Sequence, residues 1–269
     1  VLVTPPYHAG VVEAAGRWVP LNLVSLAGSA RQTGWEVEIL DAMTLGLTVD
    51  ETVTAILARR PDALGITAVT CSVGTALEVL SRVKQALPKA ATILGGIHAT
   101  YLFREILLAP ASPVDFVVRG EGERTIQELL PAIAVGASPE KILGLAFRQR
   151  GEVVATAARP LFEAAELDRL PHAFDLLEWD AYRYFVLPGK RLGAVSTSRG
   201  CDKGCTFCSQ QKFWERRWRA RSPEAVVAEI ELLRTSFGVE VVLITDDYPT
   251  LDRSRWERLL DLLIEKNLG

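Results

Sequence analysis

Residues 198–219 read SRGCDKGCTFCSQQKFWERRWR and contain three of the four cysteines of the chain. These are Cys201, Cys205 and Cys208, with the spacing Cys-x3-Cys-x2-Cys. Three clustered thiols are an odd number for disulfides and one fewer than a closed tetrahedral site requires, so they predict a metal centre with an open coordination position. Thiolate ligands favour zinc, copper(I) or iron–sulfur clusters. The fourth cysteine, Cys71, stands in an apolar setting that predicts a small buried residue.

The loop from Cys201 to Cys208 resembles the cluster loop of the radical S-adenosylmethionine (SAM) enzymes, with Phe207 just before the last cysteine and a predicted strand before the first. The resemblance implies that the three cysteines hold a [4Fe-4S] cluster, whose free iron chelates the amino and carboxylate groups of SAM beside Phe207. It also implies an electron donor such as flavodoxin or ferredoxin, because the reduced cluster cleaves SAM to a 5'-deoxyadenosyl radical. The alternative is a structural zinc knuckle, for which a fourth Cys or His at ligand spacing is missing.

Composition and charge favour a globular protein of about two domains. The 269 residues are 49% apolar and 23% charged, and the net charge of −3 gives no basic excess that would point to nucleic acid. No apolar run is long enough to cross a bilayer and no signal peptide opens the chain, which predicts a cytoplasmic protein without a membrane span. The chain begins with Val1 rather than Met and stops within a helical pattern, so we expect a piece of a longer protein.

The first 136 residues alternate short apolar strands with amphipathic helices, which predicts an α/β fold with a doubly wound parallel sheet. The predicted strands are Val1–Thr4, Glu36–Leu40, Ala63–Thr67, Thr92–Leu94 and Phe116–Arg119. The predicted helices are Leu21–Thr33, Val49–Arg59, Gly74–Ala86, Arg104–Leu108 and Glu123–Ala134. Ligands of such sheets bind beyond the carboxyl ends of the strands. The Gly-x-Gly-x-x-Gly fingerprint is absent from the first turn, which disfavours a dinucleotide.

The loops after these strands resemble the cobalamin-binding domain, whose pattern is Asp-x-His-x-x-Gly, then Ser-x-Leu, then Gly-Gly. The resemblance assigns cobalamin binding to Asp41, Met43, Gly46, Thr67, Gly95, Gly96, His98, Gly120 and Glu121. Met43 replaces the histidine that ligates cobalt from below in the family, so cobalamin would have another lower ligand, the Met43 thioether, or none. An apolar filler is the alternative role of Met43. Glycines at strand ends let a backbone approach a bulky ligand closely.

Two histidines, His8 and His98, follow predicted strands at the same edge of the sheet. Each could contact a cofactor or act as an acid or base near neutral pH. The alternative for each is a hydrogen-bonded loop histidine, and both readings stay open from the sequence.

The remaining chain is predicted to form a hairpin and linker over residues 137–190 and a second domain over residues 191–269. The hairpin strands are Leu145–Arg148 and Val153–Thr156. The second domain is predicted to contain the strands Leu192–Thr197 and Glu240–Thr245 and the helices Pro223–Phe237 and Arg253–Glu265. This order resembles the first quarter of a radical SAM partial (β/α) barrel. The resemblance places Asp246 and Asp247 at the rim of the barrel, where one of them would receive the amino group or ribose hydroxyls of SAM and the other would cap a helix.

The segment Lys212–Arg221 mixes five basic residues with three aromatic ones. Such a mixture can bind nucleic acid. Because the whole chain is acidic and the segment is short, we expect it to hold anionic groups of SAM or substrate, or to pack against the linker.

A narrower resemblance joins motifs from both domains. They are Tyr7-His8-Ala-Gly10, Glu13-Ala-Ala-Gly16-Arg-Trp18, Asp41-Ala-Met43-Thr44, Leu94-Gly-Gly-Ile-His98, Val118-Arg-Gly-Glu-Gly-Glu123 and Cys205–Trp214. Together they resemble the anaerobic magnesium-protoporphyrin IX monomethyl ester oxidative cyclase family of bacteriochlorophyll synthesis. The resemblance implies an oxidoreductase that closes the isocyclic ring of a porphyrin. The alternatives are a cobalamin-dependent radical SAM methyltransferase, a non-catalytic cobalamin-binding sensor and a zinc-binding interaction protein.

Overall fold

The computed structural model describes residues 1–7 and 18–268, which form two compact units. The first contains residues 1–7, Asn22–Pro160 and Pro171–Leu177. The second contains residues 18–21, Leu161–Leu170 and residues 178–268. Within the described residues no helix is both long and apolar enough to cross a membrane.

The first unit is built on a seven-stranded sheet with the order β2-β1-β3-β4-β5-β6-β7. Its strands are β1 Leu2–Thr4, β2 Ile39–Asp41, β3 Ala63–Thr67, β4 Ala91–Gly95, β5 Phe116–Val118, β6 Leu145–Gln149 and β7 Glu152–Ala155. Strands β1 to β5 run parallel to one another. Strand β6 runs antiparallel to β5, and β7 runs antiparallel to β6. The helices are α1 Leu21–Arg31, α2 Val49–Arg59, α3 Val73–Ala86, α4 Ile97–Leu108 and α5 Glu123–Val135. The predicted α/β class with a doubly wound parallel sheet is confirmed.

Neighbouring residues of a strand point to opposite faces of the sheet. Since consecutive strand residues here are apolar, both faces are apolar. Leu94 and Val117 join a core cluster with α2, α3 and α4. Their neighbours Ile93 and Val118 join a second cluster with α1 and α5. The continuous apolar runs in the sequence therefore reflect burial on both faces, and the polar strand ends are left for other uses.

The hairpin β6–β7 extends this sheet. The predicted hairpin strands Leu145–Arg148 and Val153–Thr156 are present, and β6 pairs antiparallel with β5 through Val117 and Ala146. A hairpin signal is local and does not reveal which third strand the hairpin joins.

Two element boundaries differ from the predictions by three residues or more. Strand β2 begins at Ile39 rather than Glu36 and includes Asp41. Helix α4 begins at Ile97, seven residues before the predicted start, and is kinked at Leu102 with φ −110° and ψ 28°. The predicted helix was too short because Gly95-Gly96 reads as an open loop, whereas only Gly96, with φ 93°, separates β4 from the helix.

The second unit pairs β8 Leu192–Val195 in parallel with β11 Val241–Ile244. Helix α8, Pro223–Phe237, connects them, and α9, Arg253–Glu265, follows β11. The side chain of Ser222 accepts a hydrogen bond from the backbone N–H of Ala225, and the next residue is proline, so the start of α8 follows from local sequence. This strand–helix–strand–helix order places the ends of both strands at the same edge.

Several smaller elements complete the two units. A short helix α6, Ala164–Leu167, precedes β8, and 3-10 turns occur at Phe174–Leu176 in the first unit and Trp179–Ala181 in the second. The short strands β9 Ser198–Arg199 and β10 Arg219–Ala220 pair antiparallel, and helix α7, Gln210–Phe213, lies between them. The cysteine loop is therefore closed at its base by a two-stranded ladder that the sequence analysis did not predict.

A buried ion pair gives a test of the packing around α8. Arg221 Nη2 lies 2.9 Å from Glu229 Oε2, and the two side chains are only 9% and 7% exposed. Glu229→Gln removes the close carboxylate and leaves the buried arginine with only Asp168, whose Oδ1 lies 3.9 Å from Arg221 Nε, so we expect a loss of about 3 kcal/mol in the free energy of unfolding. Urea titration measures this loss.

The matched control is Glu257→Gln in α9. Glu257 pairs with Arg253 at 2.7 Å, but the two side chains are 56% and 88% exposed. We expect a change below about 0.5 kcal/mol for this variant. Equal losses in the two variants would contradict the role assigned to burial.

Candidate functional site

The three clustered cysteines lie on one loop of the second unit, between β9 and α7. All three are free thiols; Cys205 is exposed and Cys201 and Cys208 are half-exposed. The carbonyl of Cys205 accepts hydrogen bonds from the backbone N–H of Cys208 at 3.1 Å and from Gln211 Nε2 at 3.1 Å. The last two cysteines are thus held in a turn that the following helix braces.

The donor set of this loop fits a cluster better than a single ion. Within the described residues, no group of three or more His, Cys, Asp and Glu side chains is arranged so that it could hold a metal ion. A zinc knuckle requires four such ligands around one ion. A [4Fe-4S] cluster is instead held by separate thiolates, and three free thiols on an exposed loop supply that donor type.

The start of the loop is packed tightly against the segment that follows α7. A Cβ at Gly200, whose φ is 88°, would lie 2.2 Å from the carbonyl oxygen of Arg217 and 3.0 Å from Trp214 Cβ. The same segment contains two consecutive left-handed residues, Glu215 and Arg216, with φ 53° and 54°. That conformation costs about 1–2 kcal/mol per non-glycine residue, so surrounding contacts must hold it.

Asp246, one of the two predicted rim carboxylates, accepts hydrogen bonds from the backbone and from side-chain hydroxyls of its own unit. Its Oδ1 accepts from the backbone N–H of Thr197, and its Oδ2 accepts from the hydroxyls of Thr197 and Ser198, each at 2.6 Å. These bonds tie the end of β11 to the end of β8 and to the start of the cysteine loop. Asp246 therefore positions the loop.

Asp247 and Phe207 are open to solvent. Phe207 is 91% exposed, and Asp247 is also exposed. The part of Asp247 that is covered raises its pKa above the usual range, and the negative charge of Asp246 adds to this effect. Of the two carboxylates, Asp247 is the one that the structure leaves accessible to a ligand.

The basic and aromatic segment packs largely within the second unit. Arg217 pairs with Glu163 at 2.8 Å, and Arg219 donates to the carbonyl of Phe162 at 2.9 Å. Arg219 and Arg221 are buried. The expectation that this segment packs against the linker is thus met for these arginines.

In the first unit, Asp41 is a buried residue at the end of β2. Its Oδ1 accepts a short hydrogen bond from the hydroxyl of Thr4, at the end of β1, and another from the backbone N–H of Thr44 at 3.2 Å. Asp41 therefore joins the ends of two neighbouring strands and closes the turn that carries half-buried Met43 and exposed Gly46. Its role as a cobalamin ligand stays a prediction.

Gly95, the last residue of β4, and Gly96, which follows it, lack a side chain for different reasons. A Cβ at Gly96 would lie 2.5 Å from the carbonyl oxygen of Ala68, and its φ of 93° also disfavours any other residue. At Gly95 only the carbonyl oxygen of Val118 comes near, at an ordinary 3.8 Å, and φ is not left-handed. The protein's own atoms thus account for Gly96, whereas Gly95 leaves space at the carboxyl edge of the sheet that a ligand would fill.

Thr67 and His98 lie close to Gly95-Gly96: Thr67 pairs with Gly95, and the backbone N–H of His98 donates to the carbonyl of Ala68 at 3.4 Å. The hydroxyl of Thr67 accepts from Asn22 Nδ2 at 3.2 Å. His98 is in the first turn of α4, and its Nδ1 is 3.1 Å from the hydroxyl of Thr70. The structure therefore places His98 on a helix, and His8 lies outside the described residues.

Gly120 and Glu121 follow β5 at the same edge. The backbone N–H of Gly120 donates to the hydroxyl of Thr100 at 3.0 Å, and Glu121 is buried. Polar partners such as Thr4, Asn22, Thr70 and Thr100 were missed from sequence. The positions of Thr4 and Thr70 at or after strand ends could have indicated them, whereas Asn22 and Thr100 lie in the first turns of α1 and α4.

The prediction that Cys71 is buried was wrong. It is exposed, in the turn after β3, where Val69 and Thr70 are also exposed. A hydrogen bond to Cys71 raises the pKa of Tyr7. The apolar setting of Cys71 in the sequence comes from β3 and α3, and the turn between them faces solvent.

Comparison with known proteins assigns both parts of the chain. Residues 7–130 match the B12 binding domain family, and residues 195–269 match the Radical SAM superfamily. The chain therefore combines a B12 binding domain with a Radical SAM domain, which confirms the resemblance drawn from the sequence.

Two curated relatives are similar over nearly the whole chain. The chain is 37% identical, over its full length, to 48% of the anaerobic magnesium-protoporphyrin IX monomethyl ester cyclase of Rubrivivax gelatinosus. It is 34% identical, over 95% of its length, to 54% of an uncharacterized methyltransferase of Pyrococcus horikoshii. The chain thus spans about half the length of these relatives.

A solved structure supports the fold. The radical SAM methyltransferase TsrM of Kitasatospora setae, with cobalamin and a [4Fe-4S] cluster bound, matches with a TM-score of 0.72 at 21% identity. The match covers 98% of this chain and 52% of TsrM. At this identity the likeness shows the arrangement of elements.

The contrast between Asp246 and Asp247 is testable by stability. Asp246→Asn turns an amide N–H₂ toward hydroxyls that now donate to a carboxylate, so we expect a loss of about 2 kcal/mol. The folded pKa of Asp247 is raised. Its favourable contribution is therefore complete below the unfolded pKa and lost as pH rises through the folded pKa.

Asp247→Asn should accordingly not destabilise the protein at pH 7. Urea titrations of both variants at pH 7 measure the difference. Equal destabilisation by the two substitutions would contradict the assignment of Asp246 as the positioning carboxylate.

The two glycines form a second matched pair. Gly96→Ala should cost about 2 kcal/mol because of its positive φ and the contact with Ala68. Gly95→Ala should leave the free energy of unfolding within about 1 kcal/mol of the wild type, yet weaken cobalamin binding about tenfold. Absorbance titration with cobalamin tests the second effect, and unchanged affinity would remove Gly95 from the proposed site.

Proposed function

We propose that the protein containing this chain is the anaerobic oxidative cyclase that closes the isocyclic ring of magnesium-protoporphyrin IX monomethyl ester. The observation that carries the proposal is the 37% identity to a cyclase of that name across the entire chain, including both cofactor regions. The proposed substrate is therefore a porphyrin, and the proposed pathway is bacteriochlorophyll synthesis.

In this proposal Cys201, Cys205 and Cys208 would hold the cluster as thiolates. Their loop is held at its base by the β9–β10 ladder and by Asp246. When bound, the cluster and SAM supply hydrogen abstraction by a 5'-deoxyadenosyl radical, and cobalamin supplies one-electron or methyl-transfer chemistry. Three protein ligands leave one iron for SAM, and the protein residues around the loop orient it.

The residues that we assign to SAM are Phe207, Asp247 and Asp246. The exposed ring of Phe207 offers an apolar face for a flat base. The accessible carboxylate of Asp247 is suited to accept from an ammonium group or ribose hydroxyls. Asp246 acts through the backbone that it holds, because its oxygens already accept three hydrogen bonds.

The residues that we assign to cobalamin lie at the carboxyl edge of the first sheet. Gly95 has no side chain that would keep a ring from its backbone, and the side chains of Thr67 and His98 are each held nearby by a hydrogen bond. The other assigned residues are Asp41, Met43, Gly46, Gly96, Gly120 and Glu121. Met43 is half-buried in its turn, which favours its role as an apolar filler over a cobalt ligand.

The proposed division of labour follows the sequence. Residues 1–136 bind cobalamin, residues 137–190 form the hairpin and the linker, and residues 191–269 begin the radical SAM domain. Three free, partly exposed thiols suit the reducing cytoplasm, where a reduced flavodoxin or ferredoxin would supply the electron.

A cobalamin-dependent methyltransferase is the second candidate. It is favoured by the 34% identity to the methyltransferase of Pyrococcus horikoshii over 95% of the chain. The cofactor residues are common to both candidates, so the product decides between them.

The decisive experiment uses the full-length protein, reconstituted anaerobically with iron, sulfide and cobalamin. We expect 5'-deoxyadenosine to form from SAM only when the magnesium porphyrin is present, with oxygen from labelled water in a ring-closed product. A methylated product with S-adenosylhomocysteine would instead establish the methyltransferase. Absence of both cobalt binding and porphyrin-dependent SAM cleavage would contradict both candidates.

Cysteine variants test the cluster assignment separately. Cys205→Ala should lose the visible cluster absorbance and lower SAM cleavage more than a hundredfold, because one of the three thiolates is gone. Cys71→Ala should retain the cluster absorbance, since that thiol lies in the other unit. A Cys205→Ala protein that still cleaved SAM would refute the assignment.

A further inference from the structure

Arg216 is fixed against the cysteine loop by two contacts. Its Nη2 donates to Gln211 Oε1 at 3.1 Å, and Gln211 Nε2 donates to the carbonyl of Cys205 at 3.1 Å. Gln211 therefore links the arginine to the backbone of a predicted cluster ligand through one continuous hydrogen-bonded chain.

The second contact is with Gly204, the residue before Cys205. A Cβ at Gly204 would lie 2.7 Å from Nη2 of Arg216 and 2.9 Å from its Cζ. The guanidinium thus lies directly against the loop backbone, in space that a side chain at position 204 would enter. The φ of Gly204 is not left-handed, so a substitution there would first meet this guanidinium, which would have to move.

The backbone around Arg216 is held in an unfavourable conformation. Glu215 and Arg216 are both left-handed, with φ 53° and 54°, and the N–H of Arg216 donates to the carbonyl of Gln211 at 3.0 Å. Strained non-glycine residues of this kind concentrate at functional sites, where surrounding structure maintains them.

The charge of Arg216 is also distinctive. Lys203, in the same loop, pairs with Asp202 at 3.0 Å, and Arg217 pairs with Glu163 at 2.8 Å. Among residues 1–7 and 18–268, no carboxylate pairs with Arg216, whose hydrogen bond goes to a neutral amide. A guanidinium stays protonated at every physiological pH, so its full positive charge lies beside the loop.

We propose that Arg216 is a positioning residue of the cluster loop, which fixes the Cys205 turn through Gln211 and stabilises the reduced cluster with its charge. Reduction adds one negative charge to the cluster, and net charge and hydrogen bonding tune the potentials of iron–sulfur centres. Because the arginine is solvent-exposed, salt screens part of the effect. The inference depends on the cluster assignment made above.

The test is an anaerobic redox titration of the reconstituted full-length protein without SAM, followed by electron paramagnetic resonance of the reduced cluster. Arg216→Gln should shift the midpoint potential to a more negative value, and the shift should shrink at high salt. Arg216→Lys keeps the charge and should restore most of the wild-type potential. Lys212→Gln, which removes an exposed charge on α7 that has no hydrogen bond to the Cys205 turn among the described residues, is the matched control and should shift the potential less than Arg216→Gln does.

The outcomes separate the two proposals. A wild-type protein that assembles no cluster would refute the proposed function. A wild-type cluster with the same potential in Arg216→Gln, or an equal shift in Lys212→Gln, would refute the role of Arg216. Reduced iron content in Arg216→Gln, with normal content in Lys212→Gln and a normal urea midpoint in both, would support the positioning role.

Discussion

The carboxylate of Asp246 holds together the part of the second unit on which the cysteine loop depends. It accepts three hydrogen bonds from Thr197 and Ser198, which lie between the end of β8 and the first residues of the loop. Arg255 donates to the carbonyl of Thr197 at 2.6 Å, and the indole N–H of Trp218 donates to the hydroxyl of Ser198 at 3.0 Å. The backbone that leads to Cys201 is thereby fixed on several sides, while the thiols themselves remain open.

In the first unit, too, a few residues fix the backbone next to the predicted site. Asp41 and Thr4 join the ends of two strands, and Gly96 fits against the backbone of Ala68. These residues build the edge of the sheet. Among the described residues, in contrast, no protein atom packs tightly against the position of a side chain at Gly95, which leaves that part of the edge accessible. Residues of the same loop pattern therefore divide into those that form the edge and those that a ligand can reach.

Local patterns predicted much of this arrangement. The spacing of the cysteines and the apolar strands are local in sequence, so the cluster loop and the parallel sheet could be read directly. The distinction between Asp246 and Asp247 could not, because it arises from hydrogen bonds to residues almost fifty positions earlier. The hairpin itself was predicted from its turn signal, but its sheet partner β5 could not be, since that partner is set by tertiary pairing. Exposure of Cys71 depends on the direction of a turn between two apolar elements, which composition does not specify.

The openness of the cysteine loop also sets its chemical vulnerability. Cys205 is exposed and is followed by the almost fully exposed Phe207, so little protein in this unit shields the thiol from small oxidants. A solvent-accessible thiolate oxidises stepwise to sulfenic, sulfinic and sulfonic acids, and the last two steps are largely irreversible. Dioxygen that reaches the loop therefore threatens the ligands as well as any centre that they hold. Rapid occupation of the thiols during maturation would protect them.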